Sequence, residues 1–171
     1  MKKILVIAGV LIVLVFVAAI AFRFATKSYS PESNTTFEDG GLKIGVYYNR
    51  PSKKGRVIFG GLVPYGKTWR TGANEPTTFE TNKALKIGDK TLPAGRYSLW
   101  TVPNEQTWTV VFNSTIPNWG IDVMNNGEAA RDPNTDVLVT EVPVVNTEKE
   151  FEQFTISIAK TDDMFELVLA W

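Results

Sequence analysis

The chain has 171 residues, of which 44% are hydrophobic and 12% aromatic, and its 18 basic residues are balanced by 18 acidic ones. That size and composition suit one folded domain with a sizeable core rather than a disordered chain. Cys and His are both absent, which excludes thiol nucleophiles, Cys/His zinc sites, His-ligated haem and Ser-His-Asp triads, and leaves the fold without disulfides.

Charge is unevenly distributed. Lys2, Lys3, Arg23 and Lys27 flank an N-terminal apolar run, and every acidic residue lies beyond it. The part after Lys27 carries 14 basic against 18 acidic groups, a net of −4. A mildly acidic domain is a poor match for a phosphate backbone, so no nucleic acid partner is expected.

Ile4 to Phe22 contains no charged residue. As a helix it is long enough to cross roughly 30 Å of hydrocarbon, and the leading lysines favour a cytoplasmic N-terminus. Residues 1–27 are therefore expected to be a single-pass anchor. The alternative is a cleaved signal peptide, since Ala19-Ile20-Ala21 matches a small-x-small cleavage site. The run exceeds the roughly 7–15 residues usual for a signal core, which favours the anchor. Either way the remainder is delivered to the outer side of the membrane.

Residues 28–41 are rich in Ser, Thr, Asn and Pro and are expected to be a linker that spaces the domain from the membrane. From Leu42 to Asn49 the apolar residues alternate, as in a half-buried strand. A turn at Lys53-Lys54-Gly55 then precedes a short strand over Arg56–Phe59. Gly60 to Glu75 has no period and combines glycines with Trp69, Arg70, Asn74 and Glu75, so it is expected to be a stiff loop carried by flanking strands.

Beyond the loop, Thr77 to Thr81 has strand composition. Ala84–Ile87 and Lys90–Leu92 flank a hairpin turn at Gly88-Asp89. Arg96–Val102 and Thr107–Phe112 form the clearest hairpin. Ile116 to Asn134 is irregular, with a short helix expected near Asp122–Asn126. Val137–Val145 alternates, and Phe154–Ile158 with Phe165–Trp171 make a final pair. Eight or nine short strands indicate an all-β domain over residues 42–171, an antiparallel β-sandwich or flattened barrel.

In a binding site, Trp69 would stack on a ring, Arg70 would take an anionic group, and Asn74 with Glu75 would read hydroxyls. In a purely structural role, Arg70 and Glu75 would pair, Trp69 would fill the core and Asn74 would brace a turn. Glu75, Glu80, Asp122, Glu128 and Asp132 are carboxylates in or near irregular segments, and a suitably spaced pair could hydrolyse a glycoside. Asp132-Pro133-Asn134-Thr135-Asp136 has alternating oxygen groups but lacks the rest of a calcium loop and is expected to be a polar turn. The other aromatics, Tyr97 among them, suit core positions in strands, whereas Trp119 lies in a loop with less structural need for a large ring.

Three blocks resemble a known pattern: Tyr48-Asn49-Arg50-Pro51-Ser52, Gly55 to Gly66, and Trp69-Arg70-Thr71-Gly72-Ala73-Asn74-Glu75. With Leu92 to Leu99 and Trp119-Gly120, they resemble a bacterial family catalogued only as a domain of unknown function, number 2911. The resemblance runs from about Leu42 to Trp171. It implies an exported, β-rich envelope domain and supplies no activity. The expectation is a periplasmic binding or accessory module held at the inner membrane by Ile4–Phe22, an accessory subunit of a membrane protein complex being one form of it. Its candidate ligand- or partner-binding residues are Arg50, Trp69, Arg70, Asn74, Glu75, Tyr97 and Trp119. No catalytic set, metal or cofactor is expected, and a carboxylate hydrolase acting on envelope glycans is the alternative.

Overall fold

The computed structural model describes residues 2–162 and 164–171. Helix α1 (Lys2–Tyr29) takes up the whole apolar run and continues past it. Nothing within it breaks helical geometry, and Pro31 follows its last turn, where the chain cannot continue as helix. Its 28 residues span about 42 Å. None of them is buried, so its apolar side chains add nothing to the core, and by length and composition the helix is able to cross a membrane.

Strand β1 (Glu32–Asp39) pairs along its whole length with β2 (Leu42–Asn49) around Gly40 and Gly41, both at positive φ. This corrects the linker expected over 28–41. Ser33, Thr35 and Phe37 are the partly buried positions of β1, and they face the same side as the core residues of β2. Two of the three are polar, so the alternation is invisible to a hydrophobicity pattern. Thr35 Oγ1 makes its inward position acceptable by donating to the carbonyl of Ile156 at 2.7 Å.

The remaining strands are β3 (Thr78–Thr81), β4 (Leu85–Ile87), β5 (Lys90–Leu92), β6 (Gly95–Val102), β7 (Thr107–Asn113), β8 (Ile121–Asp122), β9 (Glu128–Ala129), β10 (Asp136–Pro143), β11 (Thr155–Thr161) and β12 (Met164–Ala170). Six of them form one antiparallel sheet in the order β1-β2-β3-β6-β7-β10; β4–β5, β8–β9 and β11–β12 are separate hairpins. The fold is therefore all-β and sandwich-like, with the β11–β12 hairpin laid on one face of the main sheet.

The core lies between those layers. Ile44, Val46 and Tyr48 of β2, Phe79 of β3, Tyr97 and Leu99 of β6, and Val110 and Phe112 of β7 meet Phe154 and Ile156 of the final hairpin. Tyr48 fixes the hairpin in register: its hydroxyl accepts from the Ile156 N–H at 3.0 Å and donates to the Ile156 carbonyl at 3.3 Å. On the opposite sheet face Trp100 and Val111 are also buried, and the Trp100 indole donates to Ser98 at 2.8 Å.

Two local expectations change. Arg56–Phe59 is not a strand, because the Ile58 carbonyl accepts from Gly61 and Val63 and the chain doubles back on itself. The helix near Asp122–Asn126 is instead the tight turn between β8 and β9, closed by Gly127 N–H to the Asp122 carbonyl. Pairing of Glu32 with Asn49 and of Tyr47 with Thr78 places the α1 junction and the 50–77 segment at one end of the sheet. The β6–β7 turn reaches the same end, since Val102 pairs with Thr109 there.

Candidate functional site

The 50–77 segment is held at several points. Ile58 and Val63 are buried anchors of its first half. Trp69 exchanges backbone hydrogen bonds with Thr101 of β6 at 2.7 and 3.0 Å. Its ring stacks on Trp171 (centroids 5.8 Å, 15° between planes) and meets Phe154 edge-on at 4.9 Å. Its indole N–H donates to the Gly72 carbonyl at 3.1 Å. Trp69 is thus a structural post, committed on both its faces and at its polar tip.

The backbone after Trp69 is strained. Thr71 has φ 56°, Gly72 150° and Asn74 59°. A β-branched residue in the left-handed region is rare and must be held there by its surroundings. The Thr71 hydroxyl is bonded to that of Thr101 at 3.1 Å. Gly72 is required: a Cβ would lie 2.9 Å from the Asn49 carbonyl oxygen.

This geometry projects Arg70 into a cleft of about 450 Å³ whose walls include Tyr29, Lys54, Arg56, Leu62, Trp69 and Trp171. Gly120 makes the position possible, since a Cβ there would stand 2.2 Å from Arg70 Cδ. Burial pushes the Arg70 guanidinium down from its ordinary pKa. Among the described residues, neither Arg70, Lys54 nor Arg56 forms an ion pair. Arg56 is steadied by the Lys53 and Ser52 carbonyls, and Lys54 lies 5.1 Å above the Tyr29 ring. No Asp or Glu lines the cleft. Two buried donors on its walls, Arg70 Nε and Trp171 Nε1, have no acceptor among the described residues.

Glu75 does not pair with Arg70. It turns to the end of α1, where Arg23 and Lys27 each place a nitrogen 3.2 Å from Oε1. That oxygen has no well-angled hydrogen bond, so its charge is met by two nearby cations. Oε2 accepts from the buried Asn49 amide at 3.2 Å. Burial pushes the Glu75 pKa up, but its own backbone hydrogen bond, Lys27 and Arg23 outweigh burial and hold the carboxyl below its ordinary value. Asn74 braces the turn in the left-handed region, donates to the Thr26 carbonyl of α1 at 3.4 Å, and accepts from the Gly120 N–H through its own carbonyl. Asn74 and Glu75 therefore form a clasp on the helix.

The other expected residues lie apart from the cleft walls. Arg50 pins the start of β11 by donating to the Phe154 carbonyl and the Thr155 hydroxyl, both at 3.1 Å. Tyr97 is core, with its hydroxyl on the Pro93 carbonyl. Trp119 is half-buried beside Gly120. Lys54, Arg56, Trp171, Tyr29 and Gly120 escape a residue-by-residue search. One sequence signal points to the first two: from Arg50 to Asn74 there are six basic residues and no acidic one.

A family model described as a protein of unknown function (DUF2911) matches residues 30–171, and the chain belongs to that family. No curated protein and no solved structure matches the chain.

Proposed function

We propose that this member of the family is a membrane-anchored binding module of the periplasm, and that its cleft takes a small ligand bearing an anionic group. α1 is the anchor, with its N-terminus cytoplasmic. The observation that carries the proposal is the pair of buried, unpartnered donors, Arg70 Nε and Trp171 Nε1, on a wall shared with two unpaired cations. Buried donors without acceptors are costly, and an anion would satisfy both. Aromatic walls beside them suit a ligand with an apolar portion.

The test is a titration of the full-length chain in zwitterionic nanodiscs with glycerol phosphate, followed by tryptophan emission. Wild type should respond saturably and Arg70→Ala should not, with unchanged circular dichroism. A folded Arg70→Ala variant that binds like wild type would remove the proposal. The glycan-hydrolase alternative finds no support at this cleft, which has no Asp or Glu on its walls, and Glu75 is occupied by Arg23 and Lys27. A role as accessory subunit of a membrane complex is favoured by one observation, the complete absence of buried residues along α1. Migration of the full-length chain as a lone monomer in mild detergent would count against it.

A further inference from the structure

The cleft lies close to where the uncharged run of α1 ends. Arg23 is the first residue after the uncharged run, and it reaches Glu75 of the site segment. Tyr29, on the cleft wall, is six residues farther along the same helix, about 9 Å at 1.5 Å per residue. Only Ser30 and Pro31 lie between α1 and β1.

The charge pattern matches that position. Six of the 14 basic residues beyond Lys27 fall between Arg50 and Asn74 without one carboxylate, and the rest of the domain has a net charge of −10. Apolar side chains stand out from the same segment: Val57 is 74% exposed, Leu62 47% and Tyr65 41%, with Tyr29 at 69% beside them. Nothing among the described residues buries these groups. Cations interleaved with exposed aliphatic and aromatic side chains are the composition of a surface that enters the interface of an anionic bilayer.

We infer that the 50–70 segment docks on the bilayer that holds α1, and that the anion of the cleft is the phosphate of an anionic lipid headgroup. Lys54, Arg56 and Arg70 receive the phosphate, Trp171 Nε1 donates to it, and Val57, Leu62 and Tyr65 enter the interface around it. The inference rests on the binding reading above and on α1 being retained, and it adds the source of the anion.

The absence of cysteine allows a clean test. Val57→Cys in the full-length chain is labelled with a polarity-sensitive dye and reconstituted into vesicles of phosphatidylcholine alone or mixed with phosphatidylglycerol. Lys86→Cys, on the β4–β5 hairpin away from the site, is the control. The expected result is a blue shift at position 57, with quenching by lipid-borne quenchers, only in the anionic vesicles. The shift should be lost at high salt and in the Lys54→Glu, Arg56→Glu double variant, while position 86 stays in water throughout. A label at position 57 that remains in water on anionic vesicles would overturn the inference. If glycerol phosphate still changes tryptophan emission in that case, the cleft serves a soluble anion and the binding function stands. If neither glycerol phosphate nor phosphatidylglycerol changes the emission, both readings fail.

Discussion

Gly120 controls where Arg70 can go. It packs against the aliphatic part of Arg70, and a methyl there would meet Cδ at 2.2 Å and Cβ at 2.9 Å. Gly120→Ala should therefore swing the guanidinium away from the cleft. A hydrogen bond to a charged group contributes about 1.5–3 kcal/mol, so binding of glycerol phosphate should weaken at least about tenfold. Gly45→Ala, with nothing within 4 Å of the added methyl, should change stability by no more than about 0.5 kcal/mol and leave binding unaltered. Calorimetry of both variants separates a packing defect from a misplaced Arg70. The sequence shows Arg70 and Gly120 but not their contact, because they stand 50 positions apart with five strands between them and no local pattern links them. The same holds for Glu75, whose nearest cation in sequence is Arg70 and whose partners in space are Arg23 and Lys27.

Among the elements, the strands with aliphatic or aromatic inward positions are legible from period alone, as in β2, β6, β7 and β11. β1 is not, since two of its three inward sites are the polar Ser33 and Thr35, and Thr35 is held there by its hydrogen bond to the Ile156 carbonyl rather than by apolar surface. The bond that seats β11 is equally specific. Tyr48→Phe would leave the buried Ile156 N–H without its acceptor and should cost about 1–3 kcal/mol, read as a lower denaturant midpoint at an unchanged slope. The clasp on α1 makes a different, pH-dependent prediction. Glu75→Gln removes a charge held by two partly exposed cations and should cost about 1 kcal/mol. Because the folded Glu75 carboxyl is more acidic than its ordinary 4.5, its contribution is complete above that pH and is lost as pH falls through the lower folded value. The Tm gap between wild type and Glu75→Gln should be full at neutral pH and close as the solution is taken well below pH 4.5. A gap that persists unchanged in acid would show that the carboxylate charge is not what grips the helix.

For the whole molecule, the sum of charges conceals the property that matters. A net of −4 beyond Lys27 describes a mildly acidic domain, yet the same residues divide into a cationic segment at the end that joins α1 and a strongly acidic remainder. Counting by segment rather than by chain makes this visible from sequence alone. The helix is the other large feature, and its role in the fold is limited. No core residue belongs to α1, and its links to the domain among the described residues are the Glu75 ion pairs, the ion pair of Lys27 with Glu32, the hydrogen bond of Lys27 to the Tyr47 hydroxyl, and single contacts from Thr26 and Tyr29. Solvent-screened ion pairs contribute about 0–1 kcal/mol each, and only the Lys27–Glu75 pair is mostly buried on both sides. A chain trimmed to residues 30–171, the span matched by the family model, should therefore fold without detergent, with the same β-rich circular dichroism and one cooperative transition. Its Tm should fall without the transition being lost, by about 2–8 °C for each kcal/mol of these contacts removed. It should also lose affinity for anionic vesicles relative to the anchored chain, because the tether no longer concentrates the cationic end at the surface. An insoluble or molten trimmed chain would mean that α1 completes the core, and the division into anchor and self-sufficient β-domain would be wrong.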